Sequence, residues 1–257
     1  MVKLFGIPFD GKSSFMTGAA LAPSRIRQEF ASPAYNVYSE SLIDVHARLL
    51  DAGDIHADTF EQLRQKFDAL TLDKQPFLFL GGDHSISYLT INKMHSLYGK
   101  SFHVLHFDAH GDLYDEFEGD RFSHACPFAR IMEENLVLSL TQVGIRAMTP
   151  HQREQADRFG VQAFGMQDLP KFEPQNLPGP LYISIDIDVF DPAFAPGVSH
   201  QEAGGVDSRQ LIQWLQGIKS HVIGADLVEY NPLRDKEQIT AALCAKLMKE
   251  LIQLMIV

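Results

Sequence analysis

Short apolar runs alternate along the chain with longer stretches in which apolar positions recur every three or four residues. The runs Lys3–Ile7, Phe77–Leu80, Phe102–Phe107, Leu138–Val143, Leu181–Ile187 and Val222–Val228 are bounded by polar or turn residues. They lack clean alternation, which is the pattern of strands buried on both faces of a sheet. Between them the spacing predicts helices. Thr59–Leu72 carries Phe60, Leu63, Phe67 and Leu70 on one stripe, and Ser208–Lys219 does the same with Leu211, Ile212, Leu215 and Ile218. Ser85–Tyr98 and Pro150–Phe159 fit helices, and Ile239–Ile256 closes the chain with Leu243, Leu247, Leu251 and Leu254. Strand and helix alternating in this way imply an α/β fold with a mostly parallel sheet covered on both sides. No internal repeat or linker interrupts the pattern, so residues 1–257 are expected to form a single domain.

Composition narrows the function classes. A formal charge of -11, with the basic residues scattered, argues against nucleic-acid binding. No stretch is apolar and long enough to cross a membrane, and the N-terminus lacks a signal-peptide run. Cys126 and Cys244 are far apart and match no metal-binding spacing. They read as reduced thiols, which makes the cytoplasm the expected location.

Ligands of open α/β sheets gather at the carboxyl ends of strands, and this chain places its polar clusters there. Gly81-Gly82-Asp83-His84-Ser85 follows one apolar run, and Asp108-Ala109-His110-Gly111-Asp112 follows the next. Ser184-Ile185-Asp186-Ile187-Asp188 ends a third, and Glu229-Tyr230-Asn231-Pro232 follows a fourth. In extended chain, residues two apart point the same way, so Asp108, His110 and Asp112 should converge, as should Asp186 and Asp188. Carboxylates crowded on one rim cannot all stay ionised without a cation. Two divalent ions would balance the four aspartates. Carboxylates with a little imidazole form a hard donor set suited to Mn²⁺. A metal pair roughly 3.5–4 Å apart activates a water near neutral pH.

At these residues the sequence resembles the ureohydrolase family of arginases, agmatinases and their relatives. The matching stretches are Gly81–Ser85, Asp108–Asp112, Gly144-Ile145-Arg146, Ser184–Gly197 and Glu229–Pro232. The resemblance implies a three-layer α/β/α arginase-like fold, two manganese ions per chain and a homo-oligomer, trimeric or hexameric. It carries the metal ligands over as His84, Asp108, His110, Asp112, Asp186 and Asp188. It also makes His124, within Phe122–Cys126, the proton shuttle at the cavity mouth, and Glu229 the partner of the guanidinium group. Asp112 would take the proton of the attacking water and pass it to the leaving amine. The products would be urea and an amine.

Substrate choice rests on Leu113–Arg121, which holds Asp115, Glu116, Glu118 and Asp120. Such a loop should repel the α-carboxylate of arginine, so the expectation is agmatine, giving putrescine and urea. Arginine, another guanidino acid and formiminoglutamate are the alternatives. Outside hydrolysis, a silent metal-binding subunit would show a damaged ligand set, and none of the six positions is damaged. A one-zinc deacetylase would show a different ligand pattern. The Val198-Ser199-His200 stretch departs from the family's usual Thr-Gly-Thr, and His200 is expected to be an exposed loop residue. His106 is expected to be a packed strand histidine.

Overall fold

The computed structural model describes residues 1–256. Its frame is a sheet of eight strands, β1 (Val2–Gly6), β2 (Leu49–Asp54), β3 (Phe77–Leu80), β4 (His103–Phe107), β5 (Leu140–Ile145), β6 (Gln162–Gly165), β7 (Leu181–Asp186) and β8 (Val222–Val228). They are ordered β2-β1-β3-β8-β7-β4-β5-β6, and every pairing is parallel. The helices are α1 (Ala22–Phe30), α2 (Phe60–Ala69), α3 (Ile86–Tyr98), α4 (Pro127–Glu133), α5 (Pro150–Phe159), α6 (Ser208–Gly217) and α7 (Ile239–Ile256).

Within β3, β4 and β7 the residues divide by parity, as the pleat requires, while a register shift near the start of β8 sets Ile223 on the opposite face from Ala225 and Leu227. Leu78, Leu80, Leu105, Phe107, Ile183, Ile185, Ala225 and Leu227 face one core, shared with α1, α6 and α7. Phe77, Phe79, Val104, Tyr182 and Ile223 face the other, shared with α2, α3, α4 and α5. Both faces are therefore apolar, which explains why the central runs read as continuous rather than alternating. Truncating a fully buried residue such as Leu78 should cost about 2–5 kcal/mol.

Local signals fix the helix starts. Thr59 and Asp207 cap α2 and α6 through their side chains. Thr149 forms a reciprocal box with Gln152, and Pro150 opens α5. Four elements were not anticipated: β2, β6, α1 and α4. β2 is an edge strand whose residues are largely exposed, and β6 lies at the other edge. Neither needs the apolar run that marks a central strand.

The strand order places the crevice. β3 and β4 follow one another along the chain but are separated in the sheet by β8 and β7. Connections leave this point in opposite directions, and an open crevice remains beyond the strand ends. All four polar clusters lie there.

The segment between α1 and β2 is tied down by one carboxylate. Glu40 accepts from both Nη atoms of Arg209 at 2.8 Å and from Gln216 at 3.0 Å, and lies 3.2 Å from Lys246. The Arg209 and Gln216 hydrogen bonds hold its carboxyl well below the ordinary range, more than burial raises it. A depressed folded-state value contributes stability above the ordinary glutamate pKa, and that stability is lost as pH falls through the folded value. Because the group is partly exposed, Glu40→Gln should cost only about 0.5–1 kcal/mol at pH 7. The gap to the parent protein should narrow on acidification in parallel urea melts; an equal gap at pH 7 and pH 3 would refute this role.

Candidate metal centre and its cavity

His84 follows β3, Asp108, His110 and Asp112 follow β4, Asp186 ends β7, and Asp188 lies in the short 3-10 turn after it. The structure brings all six side chains together. His84 Nδ1 lies 3.3 Å from Asp108 Oδ2, 3.0 Å from Asp112 Oδ2 and 3.2 Å from Asp186 Oδ2. His110 Nδ1 lies 2.9 Å from Asp188 Oδ2 and 3.4 Å from Asp108 Oδ1. Asp108 thus joins the two halves, one oxygen toward each histidine.

The route to convergence differs from the expected strand alternation. β4 ends at Phe107, and Asp108–Asp112 is a loop. His110 N donates to Asp108 Oδ1 at 2.5 Å, Ala109 N to Asp188 Oδ1 at 3.1 Å and Asp188 N to Asp186 Oδ1 at 2.7 Å. Asp112 has φ 49° and Glu229 has φ 63°. Left-handed backbone at residues other than glycine costs about 1–3 kcal/mol each and persists where surrounding structure enforces it.

The electrostatics favour divalent cations among these groups. Among the described residues no lysine or arginine side chain pairs with the four aspartates, which meet only histidines. Burial, then Asp188 and Asp108, push the Asp186 carboxyl well above its ordinary value. Burial and Asp108 push Asp188 up to about 6. Burial opposes charge on His84 and His110, yet the surrounding carboxylates raise both imidazoles. Protons are thus drawn in to neutralise the cluster. His84 Nδ1 is buried and makes no hydrogen bond of good geometry. These donors fit a pair of hard divalent ions.

A cavity of about 170 Å³ opens onto the cluster, lined in part by Ser14, Tyr114, Phe117, His124, His200 and Glu229. Glu229 Oε1 accepts from His84 N at 2.9 Å and from His124 Nδ1 at 3.0 Å. His124 Nε2 meets Ser14 Oγ at 2.8 Å. Burial would raise the Glu229 carboxyl, but the His124 bond holds it below its ordinary value. Burial likewise opposes charge on His124, but Glu229 pushes it up to about 9. Pairing with Glu229 thus favours the protonated form of His124.

Two expectations need correcting, those for His200 and the acidic loop, while His106 is packed as expected and makes further contacts. His200 lines the cavity, its ring centroid 5.3 Å from that of His124 and 5.5 Å from that of Phe15. Its place is set by Ser199, which donates to Met16 O and accepts from Asn231. His106 is packed, stacked on Phe128 at 3.9 Å, but it also meets Asp108 Oδ2 at 2.8 Å and Gln142 Nε2 at 3.0 Å. The acidic loop does not present its charges to the cavity. Asp115 pairs with Arg121 and Arg130, and Asp120 with Lys12, while Tyr114 and Phe117 face inward.

Ser14 and Phe15 were missed for lack of a signal, whereas Arg146 and Asp83 stand within stretches already singled out. Ser14 and Phe15 belong to an N-terminal loop with no recognisable pattern, and reach the cavity only by folding. Arg146 donates six hydrogen bonds to the carbonyls of Gly144, Asp188, Val189, Phe190 and Glu202, fastening the Asp188 turn. Asp83 accepts from Ser85 and from Lys12 N, orienting the loop that presents His84. Both cysteines are buried and free, and burial pushes the Cys126 thiol up to about 12, which makes it unreactive.

Residues 1–253 match the family model described as the arginase family. The chain is 41% identical over 272 residues to a protein named arginase 1, mitochondrial, from Arabidopsis thaliana, covering 96% of this chain and 79% of that one. It is 32% identical over 266 residues to a protein named agmatinase from Halalkalibacterium halodurans, covering 97% and 90%. The solved structure of an arginase from Medicago truncatula superposes with a TM-score of 0.90 at 39% identity, covering 99% of this chain and 87% of that one.

The close approach at Gly82 generates a prediction. A Cβ there would lie 1.9 Å from Phe9 O, in the turn that delivers His84. Gly82→Ala should therefore lower stability by at least about 1–3 kcal/mol. An unchanged melting temperature for the metal-free protein would show that this turn has room to spare.

Proposed function

The chain belongs to the arginase family of ureohydrolases, and from that premise we propose that it hydrolyses a small linear guanidino compound to urea and an amine with a pair of manganese ions. The supporting observation is that Glu229 lines the same cavity as Asp112, Asp186 and Asp188. Both recorded bonds to its carboxylate go to Oε1, which leaves Oε2 for a guanidinium N–H. A carboxylate fixes a planar cation by paired, charge-assisted hydrogen bonds.

His84, Asp108, His110, Asp112, Asp186 and Asp188 would hold the ions. When bound, the ions supply positive charge and an activated water. Glu229 orients the guanidinium group with its carbon toward the aspartates. Asp112, at the cavity floor, takes a proton from the water as it adds to that carbon. His124, held protonated by Glu229, supplies a proton to the departing amine.

Arginine is our first substrate. The identity to the Arabidopsis thaliana protein named arginase 1, 41%, exceeds the 32% to the Halalkalibacterium halodurans protein named agmatinase, which supports it. The argument against arginine also weakens because two of the four loop acids, Asp115 and Asp120, are paired. Agmatine is the second reading, favoured because no lysine or arginine lies among the cavity-lining residues to receive a carboxylate. We also propose that the whole chain acts as one unit and assembles as a homo-oligomer in the cytoplasm. The two free cysteines support a reducing compartment, and no helix among the described residues is long and apolar enough to cross a membrane. Light scattering should give three or six times the 28.8 kDa chain mass; a monomer would refute the assembly.

Urea release from arginine, agmatine and 4-guanidinobutyrate, measured in parallel on Mn²⁺-loaded protein, tests the reaction. Turnover of arginine above agmatine is expected; the reverse order moves the substrate to agmatine, and no urea from any of them overturns the reading. Glu229→Gln should retain metal and lose about 1.5–3 kcal/mol of transition-state binding, roughly ten- to a hundredfold in kcat/KM.

A further inference from the structure

Behind His84 lies a second buried carboxylate that the reaction does not use. Asp226 sits in the middle of β8 and is fully buried. Its Oδ1 accepts from Ser184 Oγ at 2.6 Å, and its Oδ2 from Tyr182 OH at 2.7 Å and Thr90 Oγ1 at 3.2 Å. Ser184 Oγ in turn lies 3.0 Å from His84 Nε2. The three side chains form a line from the sheet interior to the metal centre, and among the described residues no lysine, arginine or histidine pairs with Asp226.

Counting protons gives the line a direction. A serine hydroxyl has one proton, and an ionised carboxylate only accepts. If Ser184 gives its proton to Asp226, the contact with His84 must be a donation from His84 Nε2–H to Ser184 Oγ. A neutral imidazole protonated at Nε2 carries its lone pair on Nδ1. Nδ1 is the atom aimed at Asp108, Asp112 and Asp186. The opposite direction would place an N–H there, which cannot bind a cation.

We propose that Asp226 is a positioning residue which, through Ser184, sets the tautomer and orientation of His84 for binding a divalent cation. The assignment rests on the reading of this site as a metal centre. It extends to His84 the arrangement seen at Asp108, where Gln142 and His106 stand behind a candidate ligand. Partners at this distance commonly change metal affinity by about ten- to a hundredfold.

The test is Mn²⁺ alone, titrated into metal-free protein. Ser184→Ala and Asp226→Asn should each raise the Mn²⁺ dissociation constant about tenfold or more. The double variant should be no weaker than the worse single one, because both remove the same line of bonds. Tyr182→Phe removes a hydroxyl from Asp226 but leaves Ser184 between Asp226 and His84. It should lower the melting temperature of the metal-free protein while leaving Mn²⁺ affinity within about twofold. The comparison of Ser184→Ala with Tyr182→Phe decides the matter even if Asp226→Asn fails to fold. Independent, multiplying losses in the double variant, a Ser184→Ala protein that binds Mn²⁺ normally, or equal losses in Ser184→Ala and Tyr182→Phe would each overturn the assignment. An unsubstituted protein that binds no Mn²⁺ would instead overturn the metal centre itself, and the relay with it.

Discussion

Mutual repulsion among Asp108, Asp112, Asp186 and Asp188 is the constraint around which the crevice is built. Among the described residues the four carboxylates meet only the two candidate-ligand imidazoles, His106 and backbone N–H groups. Left to itself, such a cluster draws in protons, and the raised Asp186, Asp188 and His84 show that tendency. Two divalent cations relieve the same repulsion without neutralising the ligands. A parallel sheet is well suited to bear the cost. Its strand ends converge on one edge, and both of its faces are packed, so backbone and side chains have little freedom to relax apart.

Support for the cluster comes from residues with no contact to the cavity. Gln142 and His106 back Asp108, while Arg146 pins the turn carrying Asp188. Asp83 fixes the turn before His84, and Gly82 permits the backbone to pass against Phe9. Asp112 and Glu229 are both held in left-handed backbone and both line the cavity. Such strain is sustained only because the neighbouring bonds leave no alternative, and it places two carboxylates facing one substrate volume.

The cavity wall has a different character from its floor. Tyr114, Phe117 and His200 supply flat, largely neutral surface, while the floor is ionic. Under the proposed function, guanidinium recognition would fall to Glu229 and the floor, and discrimination among substrate tails to the wall. The acidic loop looked discriminating in one dimension because its charges were counted without their partners. Arg121 and Arg130 pair with Asp115, and Lys12, 108 residues away, with Asp120, which offsets part of that charge.

The fold class and the six clustered residues were legible because each depends on local signals. Central strands require apolar runs, helices require a three-to-four-residue stripe, and strand ends in α/β sheets carry the polar groups. The motifs around Gly81, Asp108 and Asp186 point to a metal site only jointly, and the family resemblance added His124 and Glu229 as expectations. Edge strands β2 and β6 escaped because an edge needs no continuous apolar face. The rest was decided by tertiary structure. Asp226 is a lone charge in an apolar strand, a visible anomaly, but nothing in the chain says that Ser184, 42 residues earlier, would lie between it and His84. His200 looked like a loop residue until Ser199 and Asn231 drew its loop against Met16. Hydrogen bonds between distant segments fix where a side chain points, and no local pattern records them.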